Sequence, residues 1–489
     1  MLRRSSILPV LVSVLACLVL LPAVQGGPFD REIGPAPAGM PPPVSTASPD
    51  TGASDAGEPS ARMAADGIGG AGRSANPAES APGPSAPSAT PENPIQTLPP
   101  TKAPKATTFP PIVFYLAKGE PGACGPGCAE WIAADGMIDF AAPQRLRALF
   151  NRLGRRNLPI FFHSPGGSVS GALAIGRLLR ERGLTAGVGS TIPQGCDPKL
   201  PRETACEKLK RSGRDLQAQL DTGHTMCNSA CVYALVGAAV RQIPPGAGLG
   251  IHSSSFSFVD HDGHALARPS SLQLRTTVAA SYARIAHYFG EMGIDPALLT
   301  AARQVANDHI RFLSRAEIWR FNIDRRTLVE SGWTVVDEPM RAIRKVFVFD
   351  LKGGHDNFRT ALIHLSCSPL DRLRVDFARE AGPGDDATLT LAAGNASRIL
   401  KPRRRSAVSN SKMEFTLAST AVPPEFFLKA GGAISISPTS DQPAEAAAAS
   451  EHAIRLSTAG LDSALAKLLP SCGRVVAKPQ IGAPASASR

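Results

Sequence analysis

One stretch limits the fold more than any other. PIFFHSPGGSVSGALAIGRLL, residues 159–179, opens as an apolar aromatic run and breaks at Pro165-Gly166-Gly167. It continues with Ala172, Ile175, Leu178 and Leu179 at helical spacing. The first part fits a buried strand, the paired glycines a tight turn, and the rest an amphipathic helix. A strand that turns straight into a helix leaves N–H groups at the turn without a partner, and such groups bind anionic oxygen. A second stretch, CNSACVYALVGAAVRQIPPGAGLGIH over residues 227–252, carries Ser229 on a small-residue turn. An apolar helical run follows, and a short strand then delivers His252. A serine hydroxyl is a weak nucleophile until a base takes its proton. Glycine turn, serine and histidine together outline an acyl-transfer site.

Strands and helices alternate around these stretches. Strands are expected over 111–116, 131–138, 159–162 and 184–188, and a helix over 143–153. This order argues for an α/β domain, residues 111–340, with a mostly parallel sheet and right-handed crossovers. Residues 191–226 form a polar insertion carrying Lys208-Leu209-Lys210-Arg211, read either as a lid or as a surface loop. Residues 253–268 read as a hairpin or arm. A helix from Leu274 shows Val278, Tyr282, Ile285 and Phe289 on one stripe, and another helix covers 296–308. From Val346 the texture changes to short alternating strands at 346–349, 361–365, 373–377, 388–391, 414–417 and 434–436. With a helix at 461–469, they predict a β-rich domain over 341–478, a small β-sandwich or barrel.

The quoted segments resemble the Clp protease proteolytic subunit and the wider Clp/crotonase superfamily, from about residue 112 to 336. Ser164-Pro165-Gly166-Gly167 matches the strand end that supplies half the oxyanion hole, Ser229-Ala230 the nucleophile step, and Gly250-Ile251-His252 the strand with the base. NDHIRFLSRAEIWRFNID, residues 307–324, is similar to the closing segment. The resemblance implies a Ser229, His252, Asp308 triad and an oxyanion hole from the N–H groups of Gly167 and Ala230. His309 and Asp324 are lesser choices for the third member. The family's aspartate stands immediately before the Arg-Phe pair, where this chain has Ile310, and Cys227, Asn228 and Cys231 replace small residues around the serine. The resemblance also implies a polypeptide substrate, no cofactor, and self-association in rings through the helix after Leu274. The alternative is a catalytically inactive envelope protein that assembles through this unit and binds a partner. Thioester chemistry ranks behind both, because an exported chain rarely meets coenzyme A.

Export follows from the N-terminus. A basic start, MLRRSS, precedes an apolar run over residues 7–24 that contains Cys17, so residues 1–26 read as a signal peptide or a retained membrane anchor. The body then lies in the periplasm or outside the cell. Residues 27–110 are rich in Pro, Ala, Gly and Ser and read as a disordered spacer, as does the tail 479–489. Eight further cysteines remain: Cys124, Cys128, Cys196, Cys206, Cys227, Cys231, Cys367 and Cys472. An even count in an exported chain favours disulfides over a metal site. A local Cys124–Cys128 bridge and a Cys367–Cys472 bridge are the economical pairings. The formal charge of +11 attracts anionic surfaces. Nucleic-acid binding is excluded by the lack of interleaved aromatics and zinc-finger spacing, and Lys401-Pro402-Arg403-Arg404-Arg405 reads as an exposed loop. His163 is expected to pack locally, and His261 and His264 to sit in a loop rather than bind metal.

Overall fold

The computed structural model describes residues 99–102, 109–223, 225–255, 270–337, 340–350, 353–368, 372–381, 388–407, 414–428, 430–439 and 453–472. The signal or anchor, most of the spacer, the arm with His261 and His264, and the tail lie outside these residues. So do the side chains of Arg403, Arg404 and Arg405. All described residues belong to one compact unit.

The chain starts with β1 (Thr101–Lys102), β2 (Val113–Lys118), β3 (Glu130–Asp135), α1 (Ala142–Leu153) and β4 (Ile160–His163). Next come α2 (Val169–Glu181), β5 (Thr185–Val188), β6 (Ser190–Pro193), α3 (Thr204–Lys210), β7 (Leu216–Asp221) and β8 (Thr225–Asn228). The site region holds α4 (Ala230–Val236), β9 (Val240–Gln242), β10 (Ala247–Ile251), α5 (Ser271–Met292), α6 (Ala297–Arg303), β11 (His309–Phe312) and α7 (Arg315–Arg320).

A seven-stranded sheet runs β6-β7-β2-β3-β4-β5-β9. Its β7–β2, β3–β4, β4–β5 and β5–β9 pairs are parallel, as the alternation of strands and helices predicts. Helix α1 buries Leu146, Leu149, Phe150 and Leu153 against it, and α2 buries Ala172, Ile175 and Leu179. Ser168 caps α2, its Oγ accepting from the N–H of Gly171 at 3.2 Å. Every residue of α4 is buried, so this short helix is a central peg of the core rather than a surface element. A second sheet, β1-β11-β10-β8, meets the first where Ser164 donates to Met226 O (2.9 Å) and accepts from Asn228 N–H (3.0 Å).

The insertion is neither a lid nor a loop. It supplies β6 and β7, which pair antiparallel with each other, and β7 lies beside β2 as part of the sheet. Lys210, in what reads as an exposed basic run, is buried, its ammonium donating to Asp135 at 2.6 Å and to Glu207 at 3.0 Å. Removing either partner would strand a buried charge. Helix α6 ends at Arg303, short of the expected 308, because the chain must extend into β11.

The remaining strands are β12 (Leu328–Glu330), β13 (Thr334–Val336), β14 (Ala342–Asp350), β15 (Phe358–Ser368), β16 (Arg372–Glu380), β17 (Leu389–Ala393), β18 (Ala396–Ala407) and β19 (Glu414–Val422). The short α8 (Glu425–Leu428), then β20 (Ala433–Pro438), β21 (Ile454–Ser457) and α9 (Leu461–Cys472) complete the chain. These strands form one ten-stranded antiparallel sheet from β12 to β21, nearly closed and barrel-like, with its own core of Phe347, Phe377, Leu391 and Leu468. The sheet starts with β12 and β13, before residue 340. Lys345 and Glu330 form a second buried ion pair (3.2 Å) between β14 and β12.

All eight cysteines among the described residues are bridged: Cys124–Cys128, Cys196–Cys206, Cys227–Cys231 and Cys367–Cys472. Four disulfides fit an oxidising compartment. The Cys367–Cys472 bridge spans 105 residues and ties β15 to α9. Long loops gain most from cross-linking, so Cys367→Ala/Cys472→Ala should cost about 3–4 kcal/mol in urea unfolding. A loss below about 1 kcal/mol would show that the terminal helix is held by packing alone.

Candidate active site

Strands β8 and β10 are parallel, with Asn228 opposite Gly250. Ser229 and His252 therefore leave neighbouring strands at the same end. Ser229 is the hinge between β8 and α4, with φ 54° and ψ −124°. Only Asn322 and His355 share a positive φ among the described non-glycine residues. Such a conformation costs an ordinary residue about 1–3 kcal/mol and persists where its surroundings over-determine it. Here the Ser229 N–H donates to Gly250 O at 2.7 Å and its carbonyl accepts from Val232 N–H at 3.0 Å, so both flanks are fixed. A strand that turns sharply into a helix at a strained serine is the arrangement that presents a nucleophilic hydroxyl.

The glycine turn lies on top of this hinge. Gly166 is buried at φ 103°, and a Cβ placed there would sit 2.7 Å from the Ser229 Cβ and 3.1 Å from the Ala230 nitrogen. Its own N–H is already engaged by Ser164 Oγ (3.1 Å) and its carbonyl by Ile138 N–H (2.8 Å). Gly167, exposed at φ 133°, is different: its N–H finds no acceptor among the described residues, nor does that of Ala230 at the start of α4. The two donors expected for an oxyanion hole thus have no acceptor among the described residues, one in the glycine turn and one directly after the serine.

His252 follows β10 and is partly buried. Burial pushes its pKa below the ordinary histidine value, opposed by the backbone of Ser253 and of Asn307. Its Nδ1 is buried without a hydrogen-bond partner. The carboxylate of Asp308 does not supply one: it is exposed and binds Nδ1 of His309 at 2.8 Å, which holds it below the usual carboxylate range. Asp324 is buried elsewhere, accepting from Arg326 (2.7 Å) and Ile243 N–H (3.1 Å) and paired with Arg315. Burial acts to raise its pKa, but the two guanidinium groups outweigh that and keep it low. Ser229 and His252 thus leave adjacent strands at one end, with Gly166 packed on Ser229, and among the described residues no carboxylate is bonded to His252 Nδ1.

Two neighbours, named in the sequence without a catalytic role, lie close by. Asn228 is buried directly before the serine, with Nδ2 3.3 Å from the Met226 sulfur and Oδ1 unpartnered. His163 is half-buried at the end of β4, its Nδ1 accepting from Met226 N–H at 3.5 Å, and burial lowers its pKa against the pull of Asp135. The apolar run IFFH gives no signal for such a neighbour, because the contact is made across strands. A small cavity of about 50 Å³ lies elsewhere, among Gly122, Phe161, Leu220, Gln242 and Lys345, and neither Ser229 nor His252 lines it.

His163, His252 and His364 all have lowered pKa values, each first through burial. The unfolded chain then binds more protons than the folded one at pH values between the folded pKa and about 6.5. Stability is fully present above the unfolded value and is lost as pH falls through that window. The melting temperature should therefore drop from about pH 6.5 downward, and a flat profile to pH 5 would contradict this burial.

No family model matches the chain, and no curated protein matches it. Among solved structures it is similar to a mutant of ClpP1 from Listeria monocytogenes, with 15% identity and a TM-score of 0.24 over 39% of this chain and 85% of that one. It is also similar to the 1510-N membrane-bound stomatin-specific protease in two mutant forms, one in complex with a substrate peptide. Each is 13% identical with a TM-score of 0.23 over 38% of this chain, covering 73% and 69% of those chains.

Proposed function

We propose that this protein is a serine hydrolase in which Ser229 is the nucleophile and His252 its base. The observation that carries the reading is the positive φ of Ser229 at a strand–helix hinge pressed against Gly166. The hydroxyl attacks a carbonyl carbon and gives its proton to the His252 imidazole. The negative oxygen of the tetrahedral intermediate lies between the N–H groups of Gly167 and Ala230. Collapse breaks the bond to the leaving group, which takes the proton from His252, and water repeats the sequence to free the acyl group. The sequence resemblance supports a polypeptide substrate. The exposed Leu272 and Leu274 on the first turns of α5 support self-association through that helix. The bridged cysteines and the apolar N-terminal run support an exported protein.

The test is a fluorophosphonate probe on the full chain: covalent labelling at Ser229 supports the reading, and no labelling rejects it. The rate should rise with pH as His252 loses its proton, with its midpoint below about 6.5 because burial favours the neutral ring. A midpoint above 7 would mean that a carboxylate reaches the ring. The unpartnered Nδ1 of His252 and the diversion of Asp308 to His309 favour a second reading, an inactive envelope protein that assembles and binds a partner. The same probe separates the two.

A further inference from the structure

Ser229 is the middle residue of a five-residue disulfide ring, Cys227-Asn228-Ser229-Ala230-Cys231. Cys227 belongs to β8, opposite Leu249 and bridged to Ser164, while Cys231 lies in the first turn of α4. Both cysteines have no exposed surface. The bridge thus joins the strand before the hinge to the helix after it. The stabilisation from a cross-link grows with the logarithm of the loop it closes, and a separation of 4 residues closes almost the smallest loop there is. The bridge's global stabilisation is therefore smaller than that of the Cys196–Cys206 or Cys367–Cys472 bridge.

The chain contains its own comparison. Cys124–Cys128 has the same separation, but the positive-φ residues inside that ring are Gly125 and Gly127, which adopt such angles without strain. Among the described residues, only the ring around Ser229 encloses a side-chain-bearing residue with positive φ. We propose that the Cys227–Cys231 bridge is a positioning element that holds Ser229 in its positive-φ hinge conformation against the glycine turn. Without it, the hinge relaxes toward negative φ and the start of α4 rotates, carrying the Ala230 N–H with it. The catalytic consequence rests on the hydrolase reading; the conformational claim does not.

The experiment compares Ser229→Gly with Ser229→Ala, with the bridge intact and in Cys227→Ala/Cys231→Ala. Both substitutions remove the hydroxyl, but only glycine relieves a positive φ. With the bridge intact, Ser229→Gly should melt about 2–4 °C above Ser229→Ala. Without the bridge, the difference should vanish or reverse, since glycine then brings only its greater freedom when unfolded. An unchanged difference overturns the proposal. In the protein with Ser229 intact, loss of the bridge should slow fluorophosphonate labelling tenfold or more, while Cys124→Ala/Cys128→Ala stays within twofold. Equal losses in both would mean general destabilisation and also overturn it. If the bridge-less chain does not fold, Ser229→Gly is added to it. Recovery of folding supports the staple, and persistent unfolding rejects it. A wild type that never labels removes the hydrolase reading and leaves the melting comparison to decide the staple.

Discussion

Ser229→Ala is expected to abolish fluorophosphonate labelling of the full chain and to lower polypeptide hydrolysis by about a thousandfold or more. His252→Ala should lose a similar amount, because without a base the hydroxyl keeps its proton. Nucleophile and base act as a unit, so the double substitution should cost little beyond either single one. Asp308→Asn should stay within about fivefold of wild type, since its carboxylate is exposed and bound to His309 rather than to His252. A loss of a hundredfold or more in Asp308→Asn would mean that the carboxylate swings onto His252 when substrate binds, tightening geometry that is loose in the free protein. Full hydrolysis by Ser229→Ala would end the hydrolase reading and leave assembly and partner binding.

The turn and strand end that carry Ser229 and His252 are legible in the sequence because each has its own local pattern. A run of apolar residues, a glycine pair and a helical stripe lie within about twenty residues, and the strand ending in Gly250-Ile251-His252 is similarly compact. What failed was whatever depends on partners far along the chain. Lys210 looks solvated in Lys208-Leu209-Lys210-Arg211, yet Asp135, 75 residues upstream, draws it into the interior. The insertion carried a readable signal in LQAQLD, where Leu216 and Ala218 are buried and Gln217 and Gln219 exposed, the period-two alternation of a strand. Surrounding polar residues masked it. Strands β12 and β13 are three residues each, too short for periodicity to register, so the start of the large sheet was placed after residue 340. Asp308 stands near the Arg-Phe pair in the sequence, but its carboxylate binds His309. Its neighbour His309 pairs with Lys102 in the β1–β11 ladder, a contact reached across more than two hundred residues.

Gly167→Ala should damage both catalysis and folding, and the two losses separate by their physical origin. A Cβ at Gly167 would stand 2.1 Å from Ile138 O, the same carbonyl that accepts from Ser168 N–H at 2.7 Å. That atom is backbone and cannot swing away, so the turn itself must shift, and φ 133° is strained for alanine in any case. A displacement of even half an ångström takes the Gly167 N–H off the oxyanion, where one lost donor costs about a hundredfold to a thousandfold in kcat. KM should change little, because the donor acts on charge that exists only in the transition state. Stability should fall by about 2–4 kcal/mol. Gly154→Ala provides the control: its φ is 61°, but nothing lies within 4 Å of the added carbon. Backbone strain alone should cost it about 1 kcal/mol, with labelling and hydrolysis intact. Gly166→Ala should resemble Gly167→Ala, since its Cβ would press on Asn228 O at 2.6 Å and on Ser229 Cβ at 2.7 Å, displacing the nucleophile instead of the donor. If Gly167→Ala folds and retains wild-type kcat, the Gly167 N–H is not an oxyanion donor, and the turn serves only to seat the Ser229 hinge.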